Sequence, residues 1–344
     1  MRRTFISISA TSVMSAITMN LSLTLPAHSQ DFYTGKTVTI FVGYAAGSGY
    51  DVNARFVARH ISAQLPGKPT VIVQNMPGAG ALNAANHLAN TAAKDGTAMA
   101  LVARGMGIEP MLGGKGVRFD PLKLHWIGST SRETSVIVVR ADMGVKRIED
   151  VRNREVVVAG PSPGTDGVTY PNVLNNLLGT KFRIVMGYRS GKEMAMAVKR
   201  GEVQGRGSWS WASLKTEALE EVRNGEYVLL LQMALRKSPE LPDLPLVMDF
   251  VTSAEQKQIL EIILAGQEMA WPIFAPAEVP AERIALLRKA YADMLKTPEA
   301  LSEAKKLGID IDPVSGDDIA AMLRRLYSVS PEIVARVRKL AGRE

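Results

Sequence analysis

KTVTIFVGYAAGSGYD, residues 36–51, passes from an alternating apolar run through a glycine loop into a helical pattern. Val38, Ile40 and Val42 alternate with polar or opposite-face residues, the period of a strand. From about Tyr50 to Leu65, Val52, Phe56, Ile61 and Leu65 mark one apolar helix face, and Pro66, Gly67 and Pro69 stop it. PTVIVQNMPGAGALN, residues 69–83, repeats the order of strand, glycine loop and helix, and DGTAMALVARG, residues 95–105, adds a third strand. Strand–helix alternation with short connections implies a mostly parallel sheet covered by helices.

Residues 123–140, KLHWIGSTSRETSVIVVR, read as two extended segments leading into a second α/β unit that begins near Thr134. There EVVVAG and FRIVMGY are strands around a helix near Val168–Leu178, with Thr165 or Asp166 starting that helix. SGKEMAMAVKRG is a helix. Residues 203–225, VQGRGSWSWASLKTEALEEVRNG, read as a turn leading into another helix. YVLLLQMA and EMAWPIFAP are further strand candidates. The tail is helical, and Ser330 as N-cap with Pro331 and Glu332 in the first turn opens its clearest helix. Two such units joined by extended segments enclose a cleft, a shape suited to small molecules.

With 344 residues the chain holds about two domains. No cysteine is present, which excludes disulfides, a thiol nucleophile and thiolate metal sites. Outside the N-terminal segment the histidines are only His60, His87 and His125, far apart, so no metal site and no cofactor is expected. Arg2 and Arg3 precede a charge-free run ending in Ala27-His28-Ser29, the pattern of a secretory signal cleaved after Ser29. The run is also long enough for a retained membrane anchor, the competing reading. Removing it takes away two arginines and no acid, so the formal charge falls from +7 to +5. Basic residues are interleaved with acids and carry no interspersed aromatics, so no nucleic-acid surface is indicated.

The two glycine loops carry the chemical signal. Glycines let backbone approach a ligand, and a helix N-terminus offers unpaired N–H groups to a carboxylate or phosphate. In a parallel sheet both loops lie on one edge and face one crevice. A tight strand-to-helix turn is the plain structural reading of either loop alone. Ser48 and Asn83 are candidate side-chain donors, and Asp51 is read as bracing its helix. The spacing G-x-x-x-G-x-G departs from a dinucleotide fingerprint, and no P-loop, nucleophile elbow or catalytic constellation is present.

The motifs resemble those of the periplasmic solute-binding receptors of tripartite tricarboxylate transporters, the Bordetella uptake gene family. Asp51, Ala54 and Arg55 after the first loop match D-x-x-A-R. Val73, Asn75, Pro77, Gly78, Ala79 and Gly80 match V-x-N-x-P-G-A-G. Ala93, Asp95, Gly96 and Leu101 follow A-x-D-G-x-x-L less regularly, and Trp271, Phe274, Ala275 and Pro276 match W-x-x-F-A-P. The resemblance covers essentially the whole chain after the signal. It implies an α/β periplasmic binding protein of type II, with two Rossmann-like lobes joined by extended crossover segments. It implies a non-enzymatic monomer that captures a small carboxylated solute and delivers it to membrane permease subunits. An enzyme or sensor on the same scaffold is the alternative.

Expected boundaries are residues 1–29 for the signal, 30–132 plus 277–344 for lobe 1 and 133–276 for lobe 2. Expected ligand contacts are Tyr44, Ala46, Gly47, Ser48, Gly49, Gly78, Ala79, Gly80, Ala81, Asn83 and Thr165, with Arg189 for a distal carboxylate and Trp209 as an aromatic wall. The first loop has Ala45 and Ala46 where the family usually has prolines, and Gln204 and Ser208 stand where acids are frequent. Missing acids remove a repulsion without choosing the ligand; the aromatic rings of Trp209 and of Tyr44 or Tyr50, with Arg189 for a second carboxylate, lead us to expect a mono- or dicarboxylate with an apolar or aromatic body over a citrate-like solute. Export predicts a mature protein beginning at Gln30. Intact-mass measurement of periplasmic material checks this, and retention of Met1 to Ser29 overturns it.

Overall fold

The computed structural model describes residues 32–162, 164–188 and 190–343, so the signal segment and Arg189 lie outside the described residues. The chain begins with β1 (Thr37–Val42), α1 (Gly49–Ile61), β2 (Thr70–Asn75), α2 (Leu82–Asn90) and β3 (Ala98–Leu101). β4 (His125–Ser129) and β5 (Ser135–Arg140) then carry it into a second sheet. Next come β6 (Val156–Gly160), α3 (Asp166–Leu178), β7 (Phe182–Met186), α4 (Gly191–Lys199), β8 (Gly205–Ser210), α5 (Trp211–Glu217), α6 (Leu219–Arg223) and β9 (Tyr227–Met233). The return path comprises α7 (Ala254–Leu264), β10 (Pro272–Ala275), α8 (Ala281–Met294), α9 (Pro298–Leu307), β11 (Val314–Ser315), α10 (Gly316–Leu326) and α11 (Pro331–Leu340).

The first sheet has the order β11-β4-β10-β3-β1-β2, the second β7-β6-β8-β5-β9. β1 pairs in parallel with β2 and β3, as the repeated strand–loop–helix units require. The other pairs of this sheet, β10 with β3 and β4 and β11 with β4, are antiparallel, so the sheet is mixed rather than mostly parallel. The second sheet is mixed too: β6 is parallel to β7 and β8, and β5 antiparallel to β8 and β9.

Three expectations need correction. Residues 205–210 form β8 in the middle of the second sheet, not a turn. Their glycines mark close approach: a Cβ at Gly205 would lie 2.2 Å from the Val138 carbonyl oxygen, and one at Gly207 2.2 Å from Pro171 Cγ. Residues 272–275, placed in lobe 2 by the 133–276 boundary, form β10 between β3 and β4 of the first sheet. α11, placed with lobe 1, packs on α7 and on α3 of the second unit.

One core packs α1, α8 and α9 on the first sheet through residues such as Phe56, Ile61, Leu287 and Met294. Another covers one face of the second sheet, with Val136, Met194 and Trp209 buried in it. A larger core holds residues of both sheets and of α7, α10 and α11.

The loops after β1 and β2 are pressed together. A Cβ on Gly43 would lie 2.2 Å from the Ala81 Cβ, so glycine is required where β1 ends. Replacing Gly43 with alanine is expected to cost roughly 1–3 kcal/mol through overpacking. A urea midpoint equal to the parent's would show that the loops can part.

Candidate functional site

The first glycine loop is fastened from beneath by Asp51, which is 3% exposed. Its carboxylate accepts from Gly47 N (2.8 Å), from Arg55 Nε (3.0 and 3.1 Å) and from Asn75 Nδ2 (2.8 Å). Asn75 Nδ2 also donates to the Tyr44 carbonyl (3.0 Å), and Arg55 donates to Asn75 Oδ1 (3.2 Å). Burial alone would raise the Asp51 carboxyl, but hydrogen bonds from Arg55, Gly47 and Asn75 outweigh it and hold it below its ordinary value. Asp51 therefore braces the loop and its helix, as the sequence suggests.

Ser48 caps α1, accepting from Asp51 N at 3.3 Å. The second loop bends through three consecutive left-handed residues: Ala79 (φ 48°), Gly80 (63°) and Ala81 (78°). The N–H groups of Gly47, Ser48 and Ala81 are used internally, by Asp51, Ala45 O and Gly78 O. Among the described residues, the N–H groups of Gly49, Tyr50, Ala79 and Gly80 have no protein acceptor. These four residues line a cleft of about 1020 Å³ between the two sheets. The arrangement presents uncharged donors and a helix N-terminus to an anion.

Three aromatic rings form one wall. Tyr44 stacks on Tyr50 at 4.3 Å and 13°, and Trp271 meets Tyr50 edge-on at 4.8 Å and 66°. A Cβ at Gly49 would come within 3.2 Å of the Trp271 ring. Arg104, just past β3, donates its backbone N–H to Tyr50 Oη (3.3 Å) and pairs its guanidinium with Asp166 at the start of α3. Burial alone would lower Arg104, yet Asp166, with Tyr170, Tyr50 and Glu133 around it, leaves it raised above its ordinary value. Glu133, on the crossover from β4 to β5, accepts from Ser210 Oγ (2.9 Å) and Thr134 N (3.0 Å), and burial raises its carboxyl.

Of the expected contacts, Tyr44, Gly47, Gly49, Ala79, Gly80 and Thr165 line this cleft. Ala46, Ser48, Gly78, Ala81 and Asn83 do not: Ala81 is buried against Gly43, and Asn83 reaches back toward the Pro77 carbonyl at 3.5 Å. Trp209 is corrected outright. It is 1% exposed, packed under the Arg206 guanidinium at 4.1 Å, with Nε1 donating to Glu217 (3.2 Å). Trp211 is the half-buried one and donates to Glu240 (2.5 Å). Gln204 accepts from Val157 N (2.7 Å) on β6 rather than facing the cleft, so its lack of charge does not bear on the solute. Trp271, Arg104, Glu133 and Asp166 were missing from the expected contacts. Arg104 follows a strand whose carboxyl end shares the edge of the glycine loops, and that rule alone points to it.

Residues 53–333 match the model of the tripartite tricarboxylate transporter family receptor. The chain belongs to this family. The receptor is 26% identical over 325 residues to a UPF0065 protein of Agrobacterium vitis, covering 92% of the chain and 88% of that protein. Its fold is similar to the crystal structure of a TctC solute-binding protein from Polaromonas, with TM-score 0.70, 18% identity, and coverage of 91% and 100%. It is also similar to MatC from Rhodopseudomonas palustris with bound malate, with TM-score 0.58, 20% identity, and coverage of 89% and 99%. The two-lobed α/β periplasmic-binding-protein fold follows, and so does a transport role rather than an enzymatic one. Among the described residues no group of three or more His, Cys, Asp or Glu side chains forms a metal site.

Asp51 predicts a pH signature. A carboxyl lowered on folding contributes stability above its unfolded value of about 4, and loses it as pH falls through the folded value. Asp51→Asn is expected to cost roughly 1–3 kcal/mol at pH 7. Its deficit against the parent in urea should narrow progressively below pH 4. A deficit constant from pH 7 to pH 2 would exclude the ionised network.

Proposed function

We propose that this receptor captures a small mono- or dicarboxylate with an apolar or aromatic body and passes it to membrane permease subunits. Four unpartnered N–H groups at the cleft edge, from Gly49, Tyr50, Ala79 and Gly80, carry the reading. They meet one carboxylate without a charged side chain, directly or through ordered water. The body of the solute then lies along Tyr44, Tyr50 and Trp271, which replace Trp209 as the aromatic wall. Rings of this kind give large contact area at small entropic cost. The malate held by the similar Rhodopseudomonas palustris protein supports the carboxylate class. Family membership supports the permease partners and the periplasmic setting, and the export signal read at residues 1–29 supports delivery there.

The test is a thermal-shift screen followed by calorimetry with malate, adipate, benzoate and citrate, since a specific ligand raises apparent stability by mass action. Mono- and dicarboxylates should raise the midpoint more than citrate, and tighter citrate binding would overturn the class. Trp271→Ala is expected to weaken benzoate by roughly 1–3 kcal/mol and malate much less. Gly80 has open space where a Cβ would point, so Gly80→Val strains a positive-φ position and projects into the cleft edge without a packing clash. It should damage binding more than folding. Unaltered affinity in that variant would remove the second loop from the site.

A further inference from the structure

The Arg104–Asp166 pair spans the cleft. Arg104 stands at the carboxyl edge of the first sheet, and Asp166 is the first residue of α3 beside the second. Both line the cleft, with side chains 28% and 34% exposed. A guanidinium has five N–H donors in a planar fork. Among the described residues the only hydrogen bond of this fork goes to Asp166, through Nη2. Glu133, the other acid whose field bears on Arg104, is already held by Ser210 and Thr134. The remaining cations lining the cleft are mostly paired elsewhere: Arg132 with Glu268 and Asp312, Arg343 with Glu109. Arg104 thus combines partial burial, spare donors and a partner that is itself a carboxylate arriving from the opposite wall.

We propose that Arg104 is the specificity-determining residue for a second carboxylate on the solute, with Asp166 as an internal stand-in that the solute displaces. The inference rests on the cleft being the solute site. One carboxylate sits on the glycine loops and the other takes the fork of Arg104, where bidentate pairing is favoured. Release of Asp166 is eased by its place in the first turn of α3, where the helix N-terminus stabilises a free anion. The displaced pair then sets a threshold: a solute with one carboxylate leaves Arg104 with Asp166, while a diacid exchanges one carboxylate partner for another.

Adipate and hexanoate have the same chain length and differ by one carboxylate, so calorimetry with this pair isolates the effect. The parent should bind adipate more tightly. Arg104→Gln should lose about 30-fold or more on adipate, the usual scale for removing one partner of a buried charged pair, and less than about threefold on hexanoate. Arg104→Lys, keeping the charge without the fork, should recover part of that loss. Asp166→Asn should tighten adipate by about tenfold because the competing state is removed, and leave hexanoate unaltered. Thermal melts confirm that each variant is folded. Equal loss of both acids in Arg104→Gln overturns the proposal, as does weaker adipate binding in Asp166→Asn, which would make the pair a lobe latch. Parent protein that binds adipate no more tightly than hexanoate also overturns it. Parent protein that binds neither defeats the proposed function, and this inference with it.

Discussion

The Asp51 carboxylate ties the start of α1, the first glycine loop and the end of β2 into one unit. Its partners explain two sequence motifs at once. The arginine four residues later in D-x-x-A-R supplies the countercharge on the same helix face. The asparagine of V-x-N-x-P-G-A-G supplies the link to the neighbouring strand and to the Tyr44 carbonyl. Because Asp51 takes up the Gly47 N–H and Ala45 O the Ser48 N–H, the free donors at the start of α1 are those of Gly49 and Tyr50. The brace therefore decides which backbone groups stay free at the cleft edge as well as where the loop stands.

The second loop pays a conformational cost for the same purpose. Ala79 and Ala81 hold left-handed φ, each against a penalty of about 1–2 kcal/mol for a residue with a Cβ. Ala81 is locked there by its contact with Gly43 and by its N–H to Gly78. The result is a rigid bend whose preceding N–H groups, on Ala79 and Gly80, stay free. Uncharged donors suit a receptor that must release its cargo: they bind an anion without the deep attraction of an unpaired buried cation. The charged side chains of the cleft are largely neutralised within the protein, by Arg104–Asp166, Arg343–Glu109 and Lys215–Asp310.

Much of this was legible in the sequence, for local reasons. Alternation and turn chemistry place β1, β2 and their helices, and Ser330 with Pro331 opens α11 as expected. Family motifs supplied the two-lobed architecture. What was not legible depends on contacts distant in sequence. GRGSWS reads as a turn because glycine usually marks one, whereas Gly205 and Gly207 are there to admit Val138 and Pro171. Once those residues form a central strand, alternation sends Trp209 into the core beneath Arg206, and no local signal separates that outcome from a ligand wall. Trp271 belonged to a recognised motif, yet its place beside Tyr50 requires β10 to insert between β3 and β4, from about 170 residues away.

That insertion joins the aromatic wall to the crossover. Trp271 immediately precedes β10, and its backbone N–H donates to Ser129 Oγ (3.0 Å) at the end of β4. The two crossover segments then pair with each other, Ala270 N to Ser131 O (3.1 Å) and Glu133 N to Gln267 O (2.7 Å). Behind them Arg132 bonds Glu268 (3.2 Å) and Asp312 (2.8 Å). On one side of this short ladder, β4 and β10 are held in the first sheet. Trp271 directly follows Ala270 of one pair, and Glu133 belongs to the other. Trp271 and Glu133 both line the cleft, so the two hydrogen bonds that join the crossover segments also fix where the aromatic wall and this acid enter it.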